Sequence, residues 1–352
     1  MRDAPWIIYG ANGVSGRLVL AEALQRGHRP ILGGRDPSIH ALGEAHKLET
    51  VCVGLDDKAG LAALLKKGSR VLHIAGPYAV TAAPMLDACI ATQTPYLDLC
   101  GEIGSIGATF ARDAEAKAAG IPLVAGAGFG VSAAESLAIH VARRARGAHR
   151  LLLGVKLDNA YKSVGAALST LHVLGRGGAW VSDGQLRSGG MAHMRFHATV
   201  DGGRHTFIAA PLADVLAAHR STGIREVIAG IPVPSVMAPI LRLASPLLQR
   251  LLRRPGLRRF LERRVRKQEP PAAAPTRTSH RSFVWAQAAG EQATSTAVLS
   301  IGEGYAFATA SVVRSAELLS SFDGAGAWTP ASAFGPDFVL GLDGVQRRDL
   351  AA

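Results

Sequence analysis

Along the first 130 residues, short apolar runs alternate with segments whose apolar residues return every three or four positions. Trp6 to Tyr9 is the first run, and Gly10 closes it. From Arg17 onward Leu18, Leu20, Ala21 and Leu24 fall at near-helical spacing, which predicts strand, glycine turn and helix in succession. The alternation then repeats. Strands are predicted at "RPILGGRD", "TVCVGLDD", "RVLHIAGPY", "PYLDLCGE" and "IPLVAGAGFG", with helices over 58–67, "TAAPMLDACIAT" and 108–119 between them. Strand and helix units of this length predict an α/β fold with a doubly wound parallel sheet.

Beyond Ser132 the period changes. A helix is predicted over 133–146, then a strand at "RLLLGVKLD" and a glycine-opened helix at "YKSVGAALSTLHVLGRGG". Strand-like runs return at "AHMRFHATV", "RHTFIAAPL", "SFVWAQAAG" and "TAVLSIG", which suits a second, α+β domain with a mixed sheet over the cofactor cleft. Residues 225–268 stand apart as a basic amphipathic insertion. Their first part is apolar but holds four prolines and Arg242, a poor spanning helix. In their second part Leu257, Phe260, Leu261 and Val265 form one face of a helix whose other face is arginine, the pattern of an interfacial membrane helix or of a solvated helix over a core edge. The Pro- and Ala-rich stretch 269–278 reads as a linker. The expected division is 1–130, 131–310 and a C-terminal part, 311–352, whose helices return to the first domain.

The first loop, Gly10-x-x-Gly13-x-x-Gly16, has the chemistry of a phosphate cradle. Gly10 permits the turn, Gly13 lets backbone approach a pyrophosphate, and Gly16 lets the helix lie close to the strand, while Asn12, Val14 and Ser15 complete the loop at a helix N-terminus. Some 20 residues on, where NAD-binding proteins carry an acid for the ribose hydroxyl, the chain has Arg35. A guanidinium matches a 2′-phosphate in charge and fork geometry, so the cofactor expected is NADP. In a doubly wound sheet, ligands lie at the carboxyl ends of the strands. That rule adds Ala75, Gly76, Pro77, Tyr78, Gly101, Glu102, Gly128 and Phe129 to the expected cofactor edge.

Charge changes this picture only locally. The formal net charge is +12, and residues 246–267 hold nine basic residues against Glu262. With no basic stripe interleaved with aromatics elsewhere, nucleic acid is not an expected partner. An anionic membrane surface met through 246–267 is, and a homodimer is a further expected assembly. Three cysteines, Cys52, Cys89 and Cys100, without a Cys-x-x-Cys, speak for a reduced, cytoplasmic setting and against a metal site. With the first strand expected from residue 6, no leader peptide is expected. The expected location is therefore the cytoplasm, on the inner face of the membrane if the basic segment binds there.

Gly10 to Gly16, Gly33-Gly34-Arg35, "AGPY", "YLDLCGE" and "GAGFG" with its Ala/Ser/Glu helix resemble the short form of the saccharopine dehydrogenase family, which includes trans-acting enoyl reductases of polyketide lipid synthesis. The resemblance covers residues 5 to about 145 and continues more thinly in "SDGQLRSGG", "TASVVRSAELL" and "AWTPASAFG". It implies an N-terminal Rossmann domain for NADP, a middle domain on a mixed sheet, and C-terminal helices returning to the first domain. The chain departs from the pattern at Gly130, where short forms read Gly-Phe-Asp with a proline nearby, so no role is carried over for that Asp.

Extended short-chain dehydrogenases share the wide glycine loop but need a Tyr with Lys four residues on. Tyr9, Tyr78, Tyr96, Tyr161 and Tyr305 are followed there by Gly13, Ala82, Cys100, Gly165 and Thr309, which excludes that mechanism. The catalytic candidates are Tyr78, Tyr161 and His172, with Lys162 and Ser163 as further donors. Asp98 and Glu102 suit backbone or ribose better than acid catalysis. The expectation is an NADP-dependent oxidoreductase transferring hydride to a C=C or C=N bond of an apolar, lipid-like small molecule. The alternative is a non-catalytic NADP-binding or membrane-associated sensor.

Overall fold

The computed structural model describes residues 4–158, 177–200, 202–252, 254–266 and 281–351. The chain forms two compact units, Met1–Ser132 with Tyr305–Leu342, and Ala133–Gly304 with Asp343–Ala352.

The first unit follows the predicted alternation, with an additional helix at Ser38–His46 and with two helices, Ile103–Ala111 and Asp113–Ala119, where one was expected over 108–119. Strands β1 (Ile7–Tyr9), β2 (Ile31–Gly34), β3 (Thr50–Cys52), β4 (Val71–His73), β5 (Tyr96–Asp98) and β6 (Pro122–Val124) alternate with α1 (Val14–Gln25), α2 (Ser38–His46), α3 (Lys58–Leu65), α4 (Tyr78–Thr92), α5 (Ile103–Ala111) and α6 (Asp113–Ala119). A seventh strand, Gly326–Trp328, pairs with β6, and the order is seventh–β6–β5–β4–β1–β2–β3. All pairings are parallel. Parallel strands are covered on both faces, and side-chain alternation splits the core accordingly. Ile8, Leu32, Leu72, Leu97 and Val124 pack with Val19 and Leu20 of α1 and with Val312, Val313 and Ala316. Ile7, Tyr9, Ile31, Val71, Tyr96 and Leu123 pack with Leu61, Leu64 and Leu65 of α3 and Met85, Leu86 and Cys89 of α4.

The second unit is built on a mixed sheet. Its helix α7 (Phe129–Arg144) starts at the end of the first unit and is followed by β7 (Arg150–Lys156), β8 (Gly178–Ser182), β9 (Gln185–Gly189), β10 (Arg195–Val200), β11 (Gly203–Ala209), β12 (Glu226–Val233), β13 (Ser282–Ala289) and β14 (Thr294–Ile301). The order is β10–β11–β12–β7–β13–β14 with a last strand, Gln346–Leu350, on β14, while β8 pairs with β12 and carries β9. Only β12–β7 is parallel among these pairings.

Two expectations change. The insertion expected at 225–268 begins later, because Glu226–Val233 is a strand of the sheet with Val227, Ile228, Ala229 and Gly230 buried. Helices Met237–Leu252 and Pro255–Arg266 follow it. The C-terminal part is not all helix returning to the first unit: Gly326–Trp328 extends the parallel sheet, and residues from Asp343 belong to the second unit. "SDGQLRSGG", quoted only as a family feature, is the β8–β9 hairpin. Its Asp183 and Gly184 have φ 53 and 73, the left-handed pair that an Asp-Gly turn supplies.

Candidate cofactor site

The strand order reverses around β1, which has β2 on one side and β4 on the other, so the crevice for a ligand opens beyond the carboxyl ends of β1 and β4. The loop after β1 starts at Gly10, whose φ of +92 and backbone contact with Ala75 exclude a side chain: a Cβ there would lie 2.9 Å from Ala75 N. Gly16 is more confined still, since a Cβ would fall 2.1 Å from Gly10 O and 2.7 Å from Ala11 Cα. These two glycines belong to the packing of α1 against β1.

Gly13 differs. Its φ is −74, and the nearest atom to a Cβ would be Gly10 O at 3.5 Å, an ordinary contact. A Cβ on Gly76 or Gly101 would meet nothing within 4 Å. Nothing in the packing of the protein requires glycine at these three positions, and all three are exposed. Gly13 is also the N-cap of α1, without a side-chain cap and with no acid in the first turn. The first helical bond runs from Arg17 N–H to Gly13 O, so the amides of Val14, Ser15 and Gly16 precede the ladder. An uncapped N-terminus with backbone open to approach fits a phosphate group.

Around the rim, Asn12 Nδ2 donates to Ser38 Oγ at 3.1 Å, and Arg17 Nε donates to Asn12 O at 3.2 Å, which holds the loop against α2 and α1. Arg35 is exposed at the end of β2 and makes no hydrogen bond or ion pair among the described residues. Ser38, seated on Asp36 through its N–H at 2.9 Å, is a rim residue that the sequence reading missed. Its signal was the Asp-Pro-Ser turn just after Arg35. Val14 and Val80, in the first turns of α1 and α4, are 56% and 70% exposed.

Below the rim lies a buried polar floor. Asp98 Oδ1 accepts from Cys100 N–H at 2.9 Å and Gly126 N–H at 2.7 Å, and Oδ2 accepts from Tyr96 O–H at 2.6 Å. Burial pushes this carboxyl up to about 6 against those bonds. Because the Tyr96 proton is given to Asp98, Tyr96 O accepts from His73 Nδ1 at 3.2 Å. His73 Nε2 is buried without a hydrogen-bond partner among the described residues, and desolvation pushes the imidazole down to about 3. It is a neutral packing residue.

Two expected residues are engaged within the fold. Tyr78 was a catalytic and cofactor candidate, yet its O–H donates to His73 O at 3.0 Å and its ring meets the His73 ring edge-on. Burial, then the charge of Asp98, raises its phenol well above the ordinary value, so it serves the loop after β4 and is a poor acid. Glu102 was expected to touch cofactor. Its carboxylate accepts from Tyr78 N–H at 3.0 Å and Ala79 N–H at 2.9 Å, which caps α4 and complements its dipole. Ala75, Gly76 and Pro77 form the loop itself, with a cis Gly76–Pro77 bond and Thr81 O–H donating to Ala75 O at 2.6 Å. Gly128 lies against Leu99 O, 3.0 Å from where its Cβ would be, and the Phe129 ring packs edge-on against Phe307 at 5.5 Å. Tyr161, His172, Lys162 and Ser163 lie outside the described residues. No group of three or more metal-ligating side chains occurs among the described residues.

Residues 6–124 match the family model of the saccharopine dehydrogenase NADP binding domain. Among solved structures, the chain is similar to saccharopine dehydrogenase (L-Glu forming) from Saccharomyces cerevisiae, with a TM-score of 0.64 at 13% identity over 99% of this chain and 100% of the other. A dehydrogenase (MviM) from Clostridium difficile aligns over 96% of each chain at 6% identity with a TM-score of 0.39. Curated protein sequences gave no match.

Proposed function

We propose, from the premise that residues 6–124 are an NADP-binding domain of the saccharopine dehydrogenase type, that the protein is an NADP-dependent oxidoreductase acting on a C=C or C=N bond of an apolar substrate. The observation that carries the reading is the pairing of an uncapped α1, open at Gly13, with an exposed Arg35 that forms no hydrogen bond or ion pair with a described acid, the adjacent Asp36 interacting with it electrostatically. In this reading the amides of Val14, Ser15 and Gly16 hold the pyrophosphate, and Arg35 with the Ser38 hydroxyl holds the 2′-phosphate. NADPH supplies a hydride when bound. The exposed Val14 and Val80 give the rim an apolar character that suits an apolar reactant.

Support for the bond type comes from how the described acids are engaged. Among the described groups at this edge, Tyr78, Asp98 and Glu102 are all held by backbone and His73 is neutral. An unactivated ketone needs a proton at the moment of hydride transfer, whereas a conjugated alkene or an iminium needs it less. Tyr161 and His172 remain the candidates for a donor to the substrate. A non-catalytic NADP-binding protein is the second reading, favoured by the same engagement of every described acid at the edge.

Arg35→Ala tests the cofactor half. It should weaken NADPH binding by tenfold to a hundredfold, as loss of about 1.5 to 3 kcal/mol of charge-assisted bonding implies, and leave NADH binding unchanged in fluorescence titration. Equal affinity of the wild type for both cofactors sinks the assignment. The reaction half is tested by NADPH oxidation with enones, enoyl thioesters, imines and simple ketones: turnover of ketones contradicts the bond type, and turnover of none favours the second reading.

A further inference from the structure

Helix Met237–Leu252 has two apolar faces, and only one is used within its own unit. Ala238 and Leu241 pack with Met191, Ala192, Ile208, Ile231 and Val233, and Ser245 and Leu252 are buried further along the same face. Gln249 follows on that face: a Cβ on Gly177 would lie 2.5 Å from its Nε2, and one on Gly190 would lie 2.8 Å from Ser245 Oγ. This inner face fixes the helix against the mixed sheet. On the opposite side Ile240 is 55% exposed and Leu243 87%, with Val236 just before the helix at 74%. The next helix, Pro255–Arg266, adds Phe260 at 57% and Leu257 at 36%. These are five of the ten large hydrophobic side chains exposed in the described chain, all within 25 residues of sequence.

An apolar face of this kind marks an interaction surface, and its flanks say what it meets. Arg242, Arg250, Arg254, Arg259, Arg263 and Arg264 are all exposed, and Glu262 is the only acid in 237–266. Large aliphatic side chains bordered by arginine fit neither a nucleic-acid groove, which asks for stacking aromatics, nor a second copy of the same cationic face. No helix among the described residues is long and apolar enough to cross a membrane. We infer that this helical pair docks on an anionic lipid bilayer, lying in the interface with Ile240, Leu243 and Phe260 among the acyl chains and the arginines at the headgroups.

The full chain is to be sedimented with phosphatidylglycerol/phosphatidylcholine vesicles and with phosphatidylcholine alone. Binding is expected to the anionic vesicles, at least about tenfold weaker to the neutral ones, and to fall as salt is raised. Ile240→Asp combined with Leu243→Asp should lower partitioning at least about tenfold while the unfolding transition and NADPH titration stay as in the wild type, since both positions face solvent. Absence of vesicle binding, equal binding to both lipids, or wild-type partitioning of the double variant overturns the proposal. So does conversion of a dimer to a monomer by the double variant in sedimentation velocity, which assigns the face to a second copy, or a tight complex with short single-stranded DNA that anionic vesicles fail to displace. Failure of NADPH binding with vesicle binding intact refutes the cofactor reading and leaves this one standing.

Discussion

The rim and the floor of the first unit's strand ends lie a few residues apart in sequence and differ in what they offer. On the floor, Asp98, Tyr96, His73 and Tyr78 are the side chains that look most reactive as letters; the first three are buried and Tyr78 is half-buried, and each is held by a neighbour or neutralised. On the rim, Gly13, Gly76 and Gly101 have no side chain, and Arg35 is exposed. Among the described residues at this edge, the reactive side-chain types are engaged within the fold, while backbone amides and the Arg35 guanidinium stand open. A buried polar group is tolerated most readily when it is paired.

The glycine loop separates the two regions most sharply. Gly16→Ala would drive a Cβ into Gly10 O and Ala11, a clash with backbone that no rotamer relieves, and should lose about 3 kcal/mol or more in urea unfolding. Gly13→Ala meets no such contact and keeps an ordinary φ; the entropy gain is set against Ala's poor N-cap preference, so stability should change by no more than about 1 kcal/mol while NADPH binding falls. Equal stability loss in both variants would erase the distinction between floor and rim.

A second contrast is one of pH. The Asp98 carboxyl is raised from 3.8 to about 6 in the folded chain, so the folded state binds this proton more tightly than the unfolded state. Its contribution to unfolding free energy therefore falls as pH rises from about 4 to about 6, by about 3 kcal/mol, and is flat above. Asp98→Asn should remove that slope. Asp214 in the second unit is also pushed up to about 6, so the difference between wild type and variant, measured from pH 4 to 7, is the quantity to read. An unchanged slope would mean that Asp98 is not the strained floor group described here.

A smaller loss of stability than at Gly16 or Asp98 is expected at Glu102, which sits between the two regions. Glu102→Ala removes an acceptor from Tyr78 N–H and Ala79 N–H and should cost about 1 to 2 kcal/mol through fraying of α4, as read by thermal unfolding. If it instead leaves stability intact and weakens NADPH, Glu102 belongs to the rim, as the sequence suggested.

The sequence alone determined the six strands of the first unit up to residue 124, the helices after β1, β3 and β4, the glycine loop with Arg35 after β2, and the amphipathic character of 257–265. All are local: a strand, a helix or a turn writes its burial period into consecutive residues. The Asp-Gly hairpin at 183–184 was equally legible and was passed over. Tertiary structure alone decided which glycines answer to packing and which stand open, because Gly10, Gly13 and Gly16 are identical as letters and differ only in what a Cβ would meet. It also decided that Tyr78 turns its hydroxyl to His73, that Gly326–Trp328 and Gln346–Leu350 join different sheets, and that 238, 241, 245 and 252 form the buried side of a helix whose other side is just as apolar. Each of these depends on partners distant in the chain, and a hydrogen bond or strand pairing across such a distance leaves no period in the local sequence.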